Sequence, residues 1–412
     1  MTNQITKNIQ YYKFCMYGFF KNLRFFDAFI FLFFLEKGML FIQIGVLYSI
    51  REILIVVLEV PSGVIADALG RRRILVLSFF FYILSFITFY LSQNYSALIL
   101  GMSFYALGDA FRSGVHKAMI YQYLKINNQS NQKVNYYGHT RSWSQLGSAV
   151  SALFAGIIVF FSGNYQSIFI ASIIPYLIDM VLIMSYPKSL DIHLKSISYE
   201  SLRNEFREVI KAFAISFRSI RFLKVLSSNS LYTGYFKAVK DYIQPLIMTF
   251  ALAIPFLTSM DEEKKTGIIV GVIYFIVFFL NSRASRMSGK LASKFKELGT
   301  PLNLTITAGF ILGIATGLTY YFEIFIVSII GFILVIILEN LRKPIGFAMV
   351  AELSKEKAMA TTLSATSQAK SIIAAIISPL LGWIADVYSP GIAIALVSAL
   401  LILSFPLYWL KR

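Results

Sequence analysis

Stretches of about twenty mostly apolar residues recur along the whole chain. That is the length an α-helix needs to cross the hydrocarbon core of a bilayer. Ile74–Ser92, Ile268–Leu280 and Ile324–Leu338 are or lie within such windows, and Ile157–Phe161 sits at the heart of another. Hydrophobic residues make up 57% of the 412 and charged ones 14%. A soluble domain is about half apolar and a quarter charged. Water alone cannot hold this chain folded without exposing apolar surface, so the expected class is an all-α membrane protein.

Other classes fall away on composition. The single cysteine, Cys15, excludes an internal disulfide and a cysteine-based metal site, and three histidines argue against a histidine cluster. No metal or cofactor is expected. The first apolar run follows about ten polar residues and lacks a small-residue cleavage site, so it is expected to belong to the mature protein. The formal net charge is +17, but the basic residues sit between apolar runs. That is the cytoplasmic-loop bias of membrane proteins rather than the basic face of a nucleic-acid binder.

Twelve spans are predicted, at 20–37, 41–62, 73–92, 96–119, 139–161, 166–186, 223–249, 267–286, 300–320, 323–343, 358–384 and 389–409. An even number puts both termini on one side. Loops on that side carry Arg71, Arg72, Arg73, Lys188, Lys195, Arg203, Arg207, Lys211, Arg218, Lys290, Lys294 and Lys296; the opposite loops are short and poor in Lys and Arg. Both termini are therefore expected in the cytoplasm of a multi-pass plasma (inner) membrane protein. Within 188–222, Leu202, Phe206, Val209, Phe213, Phe217 and Ile220 recur at helical spacing, which predicts an amphipathic surface helix. It links two units, 1–187 and 223–412.

The two units read as copies. Gly45-Val46-Leu47-Tyr48-Ser49-Ile50 matches Gly271-Val272-Ile273-Tyr274-Phe275-Ile276, and at the same offset Ser62-Gly63 matches Ser288-Gly289. Asp109-Ala110-Phe111-Arg112 aligns with Glu339-Asn340-Leu341-Arg342, and Ala118-Met119-Ile120 with Ala348-Met349-Val350. Internal duplication of this kind is common in transporters.

The end of span two reads Glu59-Val60-Pro61-Ser62-Gly63-Val64-Ile65-Ala66-Asp67-Ala68-Leu69-Gly70-Arg71-Arg72-Arg73. Gly63, Asp67 four residues on, then Gly70 and the arginines resemble the hallmark loop of the major facilitator superfamily. The resemblance implies two six-helix bundles around a central cavity, lined by spans one, four, seven and ten. It also implies that Gly63, Asp67, Gly70, Arg71, Arg72 and Arg73 form a gating loop that stabilises the outward-open state. On physical grounds Gly63 permits close helix approach, Gly70 a tight turn, and the arginines can pin bundle to bundle. Two departures stand out. Span five, Gly147–Gly156, lacks the proline of the drug/proton antiporters, and Ser293 stands where a second copy of Asp67 would fall.

Ionisable residues inside spans are costly and usually face a cavity or a partner. Candidate solute and coupling residues are Asp27, Arg51, Asp109, Arg112, Arg141, Lys237, Lys240, Asp241, Glu339, Arg342 and Lys370. Lys237, Lys240, Asp241 and Gln244 share one face of an unbroken helix, as do Asp109, Arg112 and His116. Arg51 and Glu52 point to differing faces. Lys237–Asp241 and Asp109–Arg112 read as helix-locking pairs, whereas Arg51 and Lys370 lack an obvious local counter-ion. Arg51, Arg112, Lys117, Lys237, Lys240, Arg342, Lys343 and Lys370 outnumber Asp27, Glu52, Asp109, Asp241 and Glu339. That surplus favours an anionic or zwitterionic solute. Phe25, Phe26, Phe31, Phe33 and Phe34 of span one are expected to face lipid or pack between helices.

The reading is a secondary active transporter for a small polar, anionic or zwitterionic organic solute, working as a monomer in the bilayer. Protons are a candidate coupling ion through Asp27, Asp109, Asp241 or Glu339. There is no phosphate-binding Gly-x-x-x-x-Gly-Lys-Ser/Thr loop, no cofactor motif and no nucleophile–base pair of an enzyme. A proton-driven multidrug exporter of the same superfamily is the alternative within the class, and a non-transporting membrane sensor the alternative outside it.

Overall fold

The computed structural model describes residues 7–129, 132–191, 220–254, 260–353 and 359–410, together with Glu200, Arg203, Asn204 and Arg207. Most of the predicted amphipathic linker, and the Asp67 side chain, lie outside the described residues. Among the described residues there is no strand, and the helices group into twelve spans.

Six spans are single long helices: Phe41–Leu69 (span two), Lys133–Ser162 (five), Glu262–Ala292 (eight), Gly299–Tyr321 (nine), Phe325–Leu353 (ten) and Met359–Val387 (eleven). Arg71–Leu91 (three) and Ser167–Met184 (six) are shorter. Four spans are interrupted. Span one runs Ile9–Lys21, a 3-10 turn Phe25–Ala28, then Ile30–Glu36; it starts well before the expected residue 20 because the Asn8 side chain caps it, accepting from the Tyr11 N–H at 3.0 Å. Span four breaks between Tyr95–Arg112 and Val115–Ile126 at Gly114, whose φ of 73° is left-handed. Span seven runs Ile220–Val239, a 3-10 turn Lys240–Tyr242, then Ile243–Ala253. Pro245 accounts for that break, since its ring crowds the carbonyl of Asp241. Span twelve is Pro390–Leu403 with a short turn Phe405–Tyr408.

Helix neighbours repeat from half to half. In the first, span one packs on five, two on four, three on four, and three on six; in the second, seven packs on eleven, eight on ten, nine on ten, and nine on twelve. Adding six to each number of the first set gives the second. The main contacts between halves, two on eleven and five on eight, are exchanged by the same rule. The fold is two pseudo-symmetric six-helix bundles. The aromatic residues of span one are core: Phe26, Phe31, Phe33 and Phe34 are each no more than 2% exposed, and Phe33 packs edge-on against Phe169 with centroids 4.6 Å apart.

The bundles are sealed at the end opposite the termini. The Asp386 carboxylate of span eleven accepts the Phe41 and Ile42 N–H groups of span two at 2.9 and 2.7 Å, capping that helix across the bundle boundary. Gln244 of span seven takes the Phe31 N–H at 2.9 Å and donates to the Asp27 carbonyl at 3.0 Å, binding the two broken helices together. Phe41 stacks on Tyr242. A β-carbon on Gly45 would collide with the Ser378 carbonyl, one on Gly382 with the Phe41 carbonyl, and one on Gly156 with the Gly267 carbonyl. Only glycine allows backbones this close.

At the termini end the halves part. Gly63 and its counterpart Gly289 face open space, with nothing within 4 Å of where a β-carbon would stand. The close approach expected at Gly63 is absent from this conformation. Among the described residues, the contacts of Arg72, one of the arginines expected in a gating loop, stay within its own half. Arg72 donates to the Tyr186 carbonyl at 2.9 Å and its N–H to Asp191 at 2.8 Å, tying spans two and three to the segment after span six of the same half. Gly70, at φ 96°, abuts the same Asp191 carboxylate. Arg71 and Arg73 lie beside it on the first turn of span three.

Candidate functional site

The strongest polar link between the bundles is at Glu52. Its carboxylate is 2% exposed and accepts from Arg51 at 2.8 Å and from Lys237 of span seven at 2.5 Å. Lys237 also donates to Ser371 of span eleven at 3.1 Å. Arg51 lies over the Tyr48 ring, 5.2 Å from its centroid. Three expectations are corrected here. Arg51 does have a local counter-ion, since adjacent long side chains on a helix can fold onto each other. Lys237 pairs with Glu52 rather than Asp241. Because span seven breaks after Val239, Asp241 is turned away and pairs with Lys240 at 2.7 Å, so the four polar residues do not share a face.

In the first bundle Arg112 and Asp109 pair at 3.1 Å as expected, and Tyr82 joins them. Its hydroxyl donates to Asp109 at 2.5 Å and accepts from the Arg112 Nε at 3.0 Å. His116 does not share their face: past the Gly114 break it stacks on Tyr17, centroids 3.5 Å apart, and bonds the Tyr186 hydroxyl at 3.1 Å. Asp27 pairs with Arg24 at 3.4 Å on the interrupted stretch of span one. Beside this group a cavity of about 490 Å³ is lined by Lys21, Arg112, His116, Lys117, Arg141 and Lys343, among others.

A second cavity, of about 360 Å³, lies between the halves, with Glu59 on one wall and Thr233, Lys343 and Lys370 on the other. Lys370 makes no hydrogen bond or ion pair among the described residues, as expected. Lys21 and Lys343 likewise make no ion pair among the described residues; their acidic neighbours, Asp109 and Asp27 for Lys21 and Glu339 for Lys343, act at longer range. Arg342 also lines this cavity but is 1% exposed. It donates to the Leu302 carbonyl at 2.8 Å and to the Ser228 carbonyl and hydroxyl at 2.5 and 2.7 Å, with its guanidinium over Tyr232. Those bonds make it a brace within the second bundle. Glu339 is 3% exposed; one oxygen accepts from Thr233 at 3.0 Å and the other has no partner. Its electrostatic neighbours are Lys343, Arg342 and Lys370.

Four charged residues escaped sequence reading. Lys21 and Arg24 fall in the first turns of the expected span 20–37, at its edge, whereas a span that starts at Ile9 carries them inward. Glu59 stands seven residues after Glu52, two helical turns on along the same face, and that spacing is a usable signal. Asp179 sits in an otherwise apolar span six, fully buried, with neither oxygen hydrogen-bonded. No group of three or more metal-ligating side chains occurs among the described residues.

Two duplicated six-helix bundles, sealed at one end and cleft at the other by charged cavities, define a polytopic membrane transporter. The chain belongs to the Major Facilitator Superfamily, whose family model matches residues 18–369. It is 23% identical over 293 residues to the MFS-type transporter YxaM of Bacillus subtilis (strain 168), covering 67% of this chain and 71% of that one. A shorter match, 28% identical over 143 residues, is to the vesicular acetylcholine transporter of Tetronarce californica, covering 35% of this chain and 27% of the relative. Among solved structures, the nucleoside transporter NupG superposes with a TM-score of 0.70 at 13% identity, covering 98% and 97% of the two chains. A D-xylose-proton symporter gives 0.67 at 11% identity, covering 94% of each.

Proposed function

We propose that this transporter carries a small polar, anionic or zwitterionic organic solute by alternating access, and that the conformation described is the inward-open one. The observation that carries the solute class is the set of lysines that make no ion pair among the described residues, Lys21, Lys343 and Lys370, on the walls of the two cavities. Several other cations nearby are paired with acids: Arg51 and Lys237 share the single charge of Glu52, Arg112 pairs with Asp109 and Lys240 with Asp241. What remains for a solute is positive. Charge-assisted bonds to a carboxylate or phosphate are the strong interactions such groups make, and a lipophilic cation would be repelled. The two halves, 1–187 and 223–412, then rock about the sealed contacts. With both termini cytoplasmic, the cleft end opens to the cytoplasm of a plasma-membrane protein. Glu339, buried with one free oxygen among three cations, is the proton carrier we favour, because its carboxylate and an anionic solute would compete for the same cations, so protonating it favours solute binding.

The test is a stabilisation screen of the purified protein followed by vesicle flux. Binding raises stability by mass action, so the hits should be anions or zwitterions. Lys370→Ala and Lys343→Ala should each weaken the best hit by about tenfold, the worth of one charge-assisted bond. Hits confined to lipophilic cations, or unchanged flux in both variants, would overturn the solute class.

A further inference from the structure

Spans five and eight meet at the termini end across a cleft of about 380 Å³. Arg141 of span five and Arg286 of span eight stand on its two walls, both exposed. Below them the cleft is lined by Leu146, Ala149, Phe278 and Phe279, and Leu146 and Phe279 are 53% and 50% exposed. Exposed leucine and phenylalanine on a membrane span face acyl chains. Neither guanidinium has a hydrogen bond or a carboxylate partner among the described residues. Residues 133–162 contain no Asp or Glu, and 262–292 contain only Glu262 and Glu263, at the opposite end. Arg283, one turn before Arg286, lies over Phe279 at 5.0 Å and adds a third positive charge.

The depth of these arginines fits a headgroup. From Arg141 to Ser162 is about 32 Å of helix, and from Glu263 to Arg286 about 34 Å, at 1.5 Å per residue. The hydrocarbon core is about 30 Å thick. With the far ends of both helices at one interface, both guanidiniums stand at the other.

We infer that this cleft binds an anionic phospholipid, with its phosphate between Arg141 and Arg286 and one acyl chain along Leu146 and Phe279. Planar guanidiniums from two helices suit a tetrahedral phosphate, which each can engage through two N–H groups. A zwitterionic lipid would bring a further cation into a site that already holds three and no acid, so the site selects net negative charge. Because the two arginines belong to different bundles, the bound lipid bridges spans five and eight at the separation this conformation requires.

The test uses the full-length protein, delipidated in a neutral detergent, with phosphatidylglycerol, phosphatidylcholine or inorganic phosphate added. Melting temperature and native mass spectrometry are read in parallel. Phosphatidylglycerol should bind about tenfold more tightly than phosphatidylcholine, and inorganic phosphate should give no shift. In the Arg141→Gln/Arg286→Gln double variant the preference should fall to within about twofold, while Arg73→Gln, which removes a cation elsewhere at the same end, keeps it. The inference is overturned if the double variant retains the preference, if the two lipids bind alike, or if inorganic phosphate reproduces the shift.

Discussion

Glu52→Gln perturbs a buried charge that, among the described residues, ties the bundles together near mid-membrane. The amide keeps the shape of the side chain but removes its charge and can set a donor against a cation. Arg51 belongs to the same helix as Glu52 and stays with it through any rigid-body motion, so only the Lys237 bond is lost when the halves rearrange. Removing one partner of a fully buried pair costs about 3–5 kcal/mol. The Lys237 side chain is 26% exposed, so water recovers part of that, and we expect about 2 kcal/mol against this conformation. Every 1.4 kcal/mol is about tenfold, giving a shift of roughly 30-fold toward states in which the bond is absent. The assay is double electron–electron resonance between spin labels on Ser142→Cys and Ser285→Cys, which line the cleft from spans five and eight. Cys15 is fully buried, so the native thiol should contribute no label. Glu52→Gln should add a shorter distance component. Adding Lys237→Met should restore most of the parent distribution, since no unpaired lysine is then left. Identical distributions for parent and Glu52→Gln, or simple additivity of the two substitutions, would refute the reasoning.

Further expectations concern the sealed end, the open glycines and the buried acid. Asp386→Ala removes the cross-bundle cap of span two, a loss of about 1 kcal/mol, and should speed amide exchange over residues 41–44 about fivefold; unchanged exchange would show the cap is idle. Gly63→Leu faces open space here, so stability should change by less than about 0.5 kcal/mol while transport is lost, because closing this end needs the small residue. Full transport by that variant would disprove the closure role. Asp179→Leu removes a buried carboxyl without a hydrogen-bond partner and should raise stability by about 1 kcal/mol; a lower melting temperature would show that its charge is needed by the neighbouring Lys21.

The architecture was legible in the sequence because bilayer thickness imposes a length on every span and duplication imposes a register. The alignment of Gly45 with Gly271 and of Asp109 with Glu339 agrees with the packing that carries spans two and four onto eight and ten. The site was legible only as an inventory. Periodicity assumes an unbroken helix, and the breaks before Pro245 and at Gly114 redirect exactly the residues whose faces were inferred, Asp241 and His116. Partners such as Glu52 and Lys237, 185 positions apart, are set by how two bundles dock, which no local pattern records. The gating loop illustrates a different limit. Its residues are recognisable, but the neighbour expected at Gly63 is absent from this conformation.

The two interrupted helices carry a consequence for how the far end can open. Spans one and seven each leave backbone groups outside their ladders, and the Gln244 side chain satisfies two of them, the Phe31 N–H and the Asp27 carbonyl. When those segments separate, these groups and the amide of Gln244 all lose their partners at once. In hydrocarbon that state is prohibitive, so water must enter as the contact breaks. Opening is therefore a hydration step with a defined water uptake, and osmolytes too large to enter the nascent crevice should slow it in proportion to their osmotic pressure.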